Sequence, residues 1–444
     1  MAVFKFADLA ILAPTAVLTA FISVRYSLGI RGILGLISYL PTQQGEEQTE
    51  TKRKKKNKDK TLGGDDSSSL MMVPMSQTLI IQLPEYSSLE TLTYSAILMV
   101  LVFLAYSAAA SIVPFGTTSL LLSASVFLMS LVSLLVVSFL SSLTSSEDKI
   151  YAIFYSSLSF IACIAYFGLE PEGLFLWSPE GAATAAANMV QRAVQHALVA
   201  AKVDVDDSFL DTIQAPLSLL GVIFAVLAAF ITAVLHSAAL RFARAFHAHT
   251  CPPTWVTPYM TRSWMDSTRI RVQMIAPMML VPLYMTMLMK EILGLDDATC
   301  SLVQAAFLIV TGILFILNTR ILVSRYLETA LIAWYTVKHS QYRTKPERAA
   351  AQSVVKAKAD VVRYTACKTA IQSLAPGVLY LSCGLLTLGS YMYTKSNTGI
   401  PEIAQLASTF VGNAVGFVVS FVGVLWFIVC GFSIWLFRTG TILY

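Results

Sequence analysis

Charged side chains are scarce in this chain of 444 residues: Asp, Glu, Lys and Arg make up 13% of it, against 56% hydrophobic residues. An ordinary soluble protein carries roughly 25% charged residues, and the mean hydropathy here is +0.67. That deficit excludes a water-soluble globule. Cysteine is also sparse and unpatterned. Cys163, Cys251, Cys300, Cys367, Cys383 and Cys430 show no paired spacing, and only Cys300 falls clearly in an exterior connection, so no disulfide framework is implied. The sequence lacks HExxH, GxSxG and Walker motifs and has no N-x-S/T sequon. No span carries a carboxylate pair, so the expectation is a protein that is not an enzyme and has no cofactor.

What fills the chain is long apolar runs. A bilayer core of about 30 Å requires about 20 apolar residues of a helix. Eight strongly apolar segments meet that length, at 92–113, 118–140, 150–167, 216–240, 272–288, 301–317, 367–391 and 410–437, with a weaker ninth at 3–24. The expected fold class is therefore all-α: a polytopic helical membrane protein of nine transmembrane helices, eight if the first is cleaved or does not span. In the first segment Lys5 and Asp8 shorten the uncharged run to 9–24. A cleaved signal peptide is the alternative there, but no small-x-small site closes the run.

Positive charge alternates between the connections. Of 31 Lys and Arg, 26 fall in alternate connections: nine in 25–91, Lys149, five in 241–271, ten in 318–368, and Arg438. The intervening connections hold Arg192, Lys202, Lys290 and Lys395, and Lys5 precedes or enters the first segment. This is the positive-inside pattern. It places the basic connections and the C-terminus in the cytoplasm and the N-terminus outside, in a plasma membrane or endomembrane.

The segments divide the chain into an N-terminal helix (1–24), a cytoplasmic polybasic linker (25–91), a three-helix unit (92–167), an acidic exterior loop (168–215), a first hairpin (216–288), a second hairpin (301–391) and a last helix (410–444). In the linker, 43–69 has no aromatic residue and too little apolar surface to order itself. Its Lys52, Arg53, Lys54, Lys55, Lys56, Lys58 and Lys60 are a candidate site for anionic inner-leaflet lipid, at about 1 kcal/mol per charge near the surface; a solvated topology-setting tail is the alternative. Nucleic-acid targeting does not suit a chain with this many spans. The exterior loop carries Asp204, Asp206, Asp207 and Asp211 without the glycine and terminal glutamate of an EF-hand. Residues 181–201 repeat apolar positions at helical spacing, which predicts a helix along the outer membrane face. His247, His249 and Cys251 lack a second ligand pair for zinc, so no metal site is expected.

The C-terminal half carries an internal repeat. Ala239-Leu240-Arg241-Phe242 ends the fifth segment and Gln273-Met274-Ile275-Ala276-Pro277 opens the sixth; Asn318-Thr319-Arg320-Ile321 ends the seventh and Gln372-Ser373-Leu374-Ala375-Pro376 opens the eighth. This reads as two tandem hairpins in parallel orientation. A proline frees a carbonyl one turn back, and inside a membrane that carbonyl needs protein or a water-lined cavity. Gln273, Pro277, Pro282, Asn318, Arg320, Gln372 and Pro376 are accordingly candidates for a shared cytoplasmic vestibule, with simple kinking as the alternative. Beyond Arg320 the helical spacing continues to Gln341, Lys345-Pro346 breaks it, and 349–368 reads as a basic helix, giving a cytoplasmic helical hairpin. The Gly412, Gly416, Ser420 series has the small-xxx-small spacing of close helix packing.

The order of Tyr26-Ser27-Leu28, the lysine-rich linker, Leu83-Pro84-Glu85-Tyr86, Leu240-Arg241-Phe242-Ala243 and the two Ala-Pro pairs resembles the transmembrane protein 161 family over nearly the whole chain. That resemblance implies a multi-pass protein without enzymatic activity, tied to ion currents and membrane excitability, with ion-channel proteins and the lipid bilayer as partners. The last exterior loop is shorter here than the family pattern. The alternative expectation is a channel or small-solute transporter whose path runs through the vestibule.

Overall fold

The computed structural model describes residues 6–26, 28–41, 70–112, 146–168, 174–200, 217–251, 263–339, 345–396 and 402–439. Its elements are α1 (Phe6–Tyr26), α2 (Leu28–Arg31), β1 (Ile37–Pro41), β2 (Leu70–Pro74), α3 (Gln77–Ile81), α4 (Tyr86–Ile112), α5 (Ser146–Gly168), α6 (Pro179–Ala200), α7 (Leu217–Thr250), α8 (Trp264–Leu283), a π-helical turn (Met287–Ile292), α9 (Asp297–His339), α10 (Lys345–Tyr364), α11 (Ala366–Ser396) and α12 (Glu402–Arg438). Six stretches are long and apolar enough to cross a membrane: Tyr86–Ala108, Lys149–Gly168, Leu219–Thr250, Asp297–Tyr335, Ala366–Met392 and Gln405–Arg438. The chain is a helical membrane protein with six such helices among the described residues, against the nine segments expected. Of the other three, 118–140 lies outside the described residues, and the apolar stretch of α1, Ile11–Ser23, is short for a span.

The third departs from expectation for a local reason. The expected 272–288 helix stops at Leu283, just after Pro282, and the chain resumes as the π-helical turn. Between them Tyr284–Thr286 pairs with a strap at 174–177: Leu176 N–H donates to the Tyr284 carbonyl at 2.7 Å and Thr286 N–H to the Leu174 carbonyl at 3.2 Å. Gln304 Nε2 of α9 donates to the Leu283 carbonyl at 2.9 Å. Backbone groups released by the break are thus met by protein, as a low-dielectric setting demands.

The surface chemistry of α1 is inverted relative to a helix in water. Thr15, Thr19 and Ser23 are buried, while Val17 and Phe21 are 69% and 63% exposed. The two threonine hydroxyls donate to carbonyls of their own helix, Thr15 to Ile11 at 2.9 Å and Thr19 to Thr15 at 2.7 Å, so the buried stripe is polar yet satisfied. Small hydroxylated residues inward and large apolar ones outward is the arrangement lipid favours. Exposed apolar residues also line α5 (Ile150, Ile153, Phe154, Ile161) and α12 (Phe427, Ile428, Phe432).

The bundle is densest where α9 and α11 cross. A Cβ on Gly312 would lie 2.7 Å from the Leu381 nitrogen, and one on Gly384 2.9 Å from the Ile309 nitrogen, so glycine permits this approach. Helix α12 packs against α6, α7, α8 and α11. Its small-residue series meets the strap rather than another span: Gly416 abuts Trp177, whose Nε1 donates to Ser420 Oγ at 3.2 Å, whereas Gly412 has open space around it.

At 43 residues, α9 extends to roughly 65 Å at 1.5 Å per residue, about twice the hydrocarbon core. Its distal half packs on α10, closing the helical hairpin, and both helices pack on β1. Strands β1 and β2 are antiparallel, pairing Ile37 with Pro74 and Pro41 with Leu70. The two ends of the 25–91 linker are therefore ordered, because Ile33, Leu36, Tyr39 and Met75 bury against the hairpin. The Lys52 to Lys60 cluster lies outside the described residues. Past the strands, Glu85 takes φ +64, a left-handed conformation uncommon for a side chain of this size, and turns the chain into α4.

Candidate functional site

The repeat residues meet across the hairpins. Asn318 Nδ2 on α9 donates to Gln273 Oε1 on α8 at 2.9 Å and to the Arg269 carbonyl at 3.3 Å. Gln372 Nε2 on α11 donates to Ser237 Oγ on α7 at 3.0 Å. Gln273, Asn318 and Gln372 are fully buried. Each glutamine thus binds the first helix of the other hairpin, but not in equivalent register: Ser237 lies one turn before Arg241, Asn318 two residues before Arg320.

The prolines sit four residues after the glutamines, so each frees the carbonyl of its own glutamine. Pro277 is buried, and a Cβ on Gly423 of α12 would come within 2.6 Å of its carbonyl oxygen. The Pro277 bend thus packs closely on the α12 backbone at Gly423. Pro376 is buried and Pro282 half-buried; Pro282 ends α8. Arg320 is exposed and does not join the glutamines. Gln273 Nε2, Asn318 Oδ1 and Gln372 Oε1 have no hydrogen-bond partner among the described residues.

Next to this polar layer stands an aromatic one. Phe242 and Phe315 each lie 5.2 Å from Trp426, and Phe315 lies 5.8 Å from Tyr380, centroid to centroid. The four rings come from α7, α9, α12 and α11 and are all buried.

A cavity opens toward either end. The larger, about 850 Å³, is walled by the strap, the α9 N-terminus and the facing ends of α11 and α12, with Tyr284, Asp296, Gln304, Ser390, Ser408 and Asn413 among its lining. Lys290 pairs with Asp297 at its rim at 2.7 Å, and the Thr299 hydroxyl holds the exposed Asp296 carboxyl below the usual range. The smaller, about 200 Å³, lies between α5, α7, α9 and α11 at the end carrying the helical hairpin and is lined by Arg241, Arg244, Arg325, Tyr326, Thr369 and Ser373. Sequence reasoning isolated Arg241 as a helix end and missed this cleft. The available signal was the arginine pair one turn apart on one helix, Arg241 and Arg244.

Ionisable groups concentrate at that end. Arg325 Nη1 contacts both Glu328 oxygens at 2.9 and 2.7 Å in a buried pair. Burial raises the Glu85 carboxyl above the usual carboxylate range, against the opposing pull of Lys368 and Arg241. Among the described residues no cluster of His, Cys, Asp and Glu suited to a metal ion occurs. No family model, no curated protein and no solved structure matches the chain.

Proposed function

We propose that this chain is a non-enzymatic multi-pass membrane protein that regulates ion currents through partner channels, with nine spans, its basic connections and C-terminus in the cytoplasm and its N-terminus outside. The family resemblance suggests the ion currents. The observation that carries the regulatory reading is the buried polar layer: Gln273 and Asn318 bond to each other, Gln372 bonds to Ser237, and all three amides lie inside the helix packing. Packed aromatics and glycine crossings reinforce it. Anionic inner-leaflet lipid at Lys52, Arg53, Lys54, Lys55, Lys56, Lys58 and Lys60 would anchor the linker beside a partner.

A small-solute carrier is the second reading, favoured by the pair of cavities that open toward opposite ends with the glutamine and aromatic layers between them. Alternating access needs such a barrier between two vestibules. Ion flux into liposomes holding only the purified full chain separates the two, with Gln273→Leu/Gln372→Leu as the variant. A regulator is silent there, yet changes the amplitude or gating of channel currents when co-expressed, with or without the substitutions. Flux from the pure protein that the substitutions abolish sinks the regulatory reading and establishes a carrier.

A further inference from the structure

The cavity of about 850 Å³ at the end opposite the helical hairpin falls within the range of sites for small organic molecules, about 300–1,000 Å³. Gln304 of α9 lines it, although only 6% of the residue is exposed. The orientation of its amide is fixed, because Nε2 must face the Leu283 carbonyl to which it donates at 2.9 Å, which turns Oε1 the other way. That oxygen accepts no hydrogen bond among the described residues and is open to the cavity. A donor entering the cavity would complete it.

The hydroxyls of the wall offer lone pairs rather than protons. Ser301 donates to the Asp297 carbonyl at 2.9 Å, Thr387 to the Cys383 carbonyl at 2.9 Å and Thr409 to the Gln405 carbonyl at 3.1 Å, while Thr299 gives its proton to the Asp296 carboxylate. A hydroxyl has one proton to give and two lone pairs, so what these residues keep for a ligand is acceptor capacity. Asn413 is engaged from both ends, by the Ser178 N–H at 2.8 Å and through its own Nδ2 to the Thr409 carbonyl at 2.9 Å. Acceptors therefore dominate the wall.

Charge points the same way. Asp296 and Asp297 are the charged residues of the lining, and Lys290, which pairs with Asp297, stands at the rim. Asp296 has no cationic partner among the described residues. The N-terminus of α9 would ordinarily draw an anion, but the Asp296 carboxylate already takes the hydrogen bonds of that first turn. An anionic ligand would meet carboxylates and lone pairs, whereas a protonated amine brings both the positive charge and the donors that this wall lacks. Leu176, Trp177 and Val411 add apolar surface for the body of such a molecule.

We propose that this cavity binds a small organic amine, whose ammonium group donates to Gln304 Oε1 and is drawn in by the Asp296 carboxylate. The site holds under either reading of the function, as a ligand pocket in a regulator and as a vestibule in a carrier. Binding rather than flux therefore tests it, and silence in the liposome experiment leaves it standing. Isothermal titration calorimetry of the purified full chain in detergent compares tyramine with its neutral analogue tyrosol and its anionic analogue 3-(4-hydroxyphenyl)propionate. Tyramine should bind roughly tenfold more tightly than either. Asp296→Asn removes the charge but keeps a good helix cap, and should weaken tyramine by roughly threefold, as expected of an exposed carboxylate. Gln304→Leu should weaken it by roughly tenfold, while Asp266→Asn, at the far end of α8 and outside the cavity, should bind like the parent. A melting temperature unchanged in Asp296→Asn keeps the result readable if Gln304→Leu, which also loses its bond to Leu283, misfolds. Absence of tyramine binding, equal binding of the three compounds, or full binding by Asp296→Asn or by a folded Gln304→Leu overturns the proposal.

Discussion

Replacing Asn318 with leucine removes both hydrogen bonds that tie α9 to α8 at this level, the 2.9 Å bond to Gln273 Oε1 and the 3.3 Å bond to the Arg269 carbonyl. It also strands the Gln273 amide at a fully buried position. An unmet buried amide costs about 1–3 kcal/mol, and leucine restores much of the lost volume, so Asn318→Leu should destabilise by about that much. Gln273→Leu should cost less, about 1–2 kcal/mol, because Asn318 keeps its bond to Arg269. In the double variant leucine faces leucine and nothing polar is stranded. Its cost should fall short of the summed single costs by about 0.6 kcal/mol and at most about 1.7 kcal/mol, the average and maximum found for side-chain hydrogen bonds between membrane helices. Reversible unfolding of the four proteins in mixed detergent micelles measures the cycle. Single costs that add to within about 0.3 kcal/mol would refute the reasoning, because uncoupled side chains do not share a hydrogen bond.

Gly312→Ala places a Cβ 2.7 Å from a backbone nitrogen of α11 and should lower stability by about 1–3 kcal/mol. Gly412→Ala, with open space around it, should be neutral or stabilise by up to about 1 kcal/mol; equal effects in thermal unfolding would contradict the close crossing. Glu328→Gln breaks a buried ion pair and should cost roughly 3–5 kcal/mol, read as a lower melting temperature; a cost under about 1 kcal/mol, that of an exposed pair, would show the pair to be solvated. Burial raises the folded-state pKa of Glu85, so the folded chain holds this proton more tightly than the unfolded one. Its stabilisation is complete below the unfolded carboxyl pKa and is lost as pH rises through the folded value. Stability of the parent relative to Glu85→Gln should therefore decline upward through the carboxylate range, and parallel pH profiles would exclude a buried Glu85.

Most of what depends on local composition was legible in the chain. Six of the nine apolar runs coincide with helices long enough to span, because span length and hydropathy are properties of consecutive residues. The continuation of α9 past Arg320 followed from periodicity, whereas Lys345-Pro346, expected to break the helix ahead of a segment at 349–368, opens α10. The repeat drew attention to Gln273, Asn318 and Gln372, which are buried and bonded across the hairpins, yet nothing in it indicated that Ser237 rather than a residue beside Arg241 would receive Gln372. Proline spacing marked where α8 would bend, but the element that packs on that bend, α12 at Gly423, lies some 145 residues further along the chain from Pro277.

By itself the sequence determined membrane residence, six of the span segments and the alternation of basic connections, since apolar length and charge act on each segment alone. Tertiary structure decided the rest: the strap at 174–177 that completes the broken α8, the ordered ends of the linker, the outward apolar face of α1 and the arginine cleft. Each arises where side chains far apart in sequence satisfy or exclude one another in a low-dielectric interior, and no short-range pattern records that pairing.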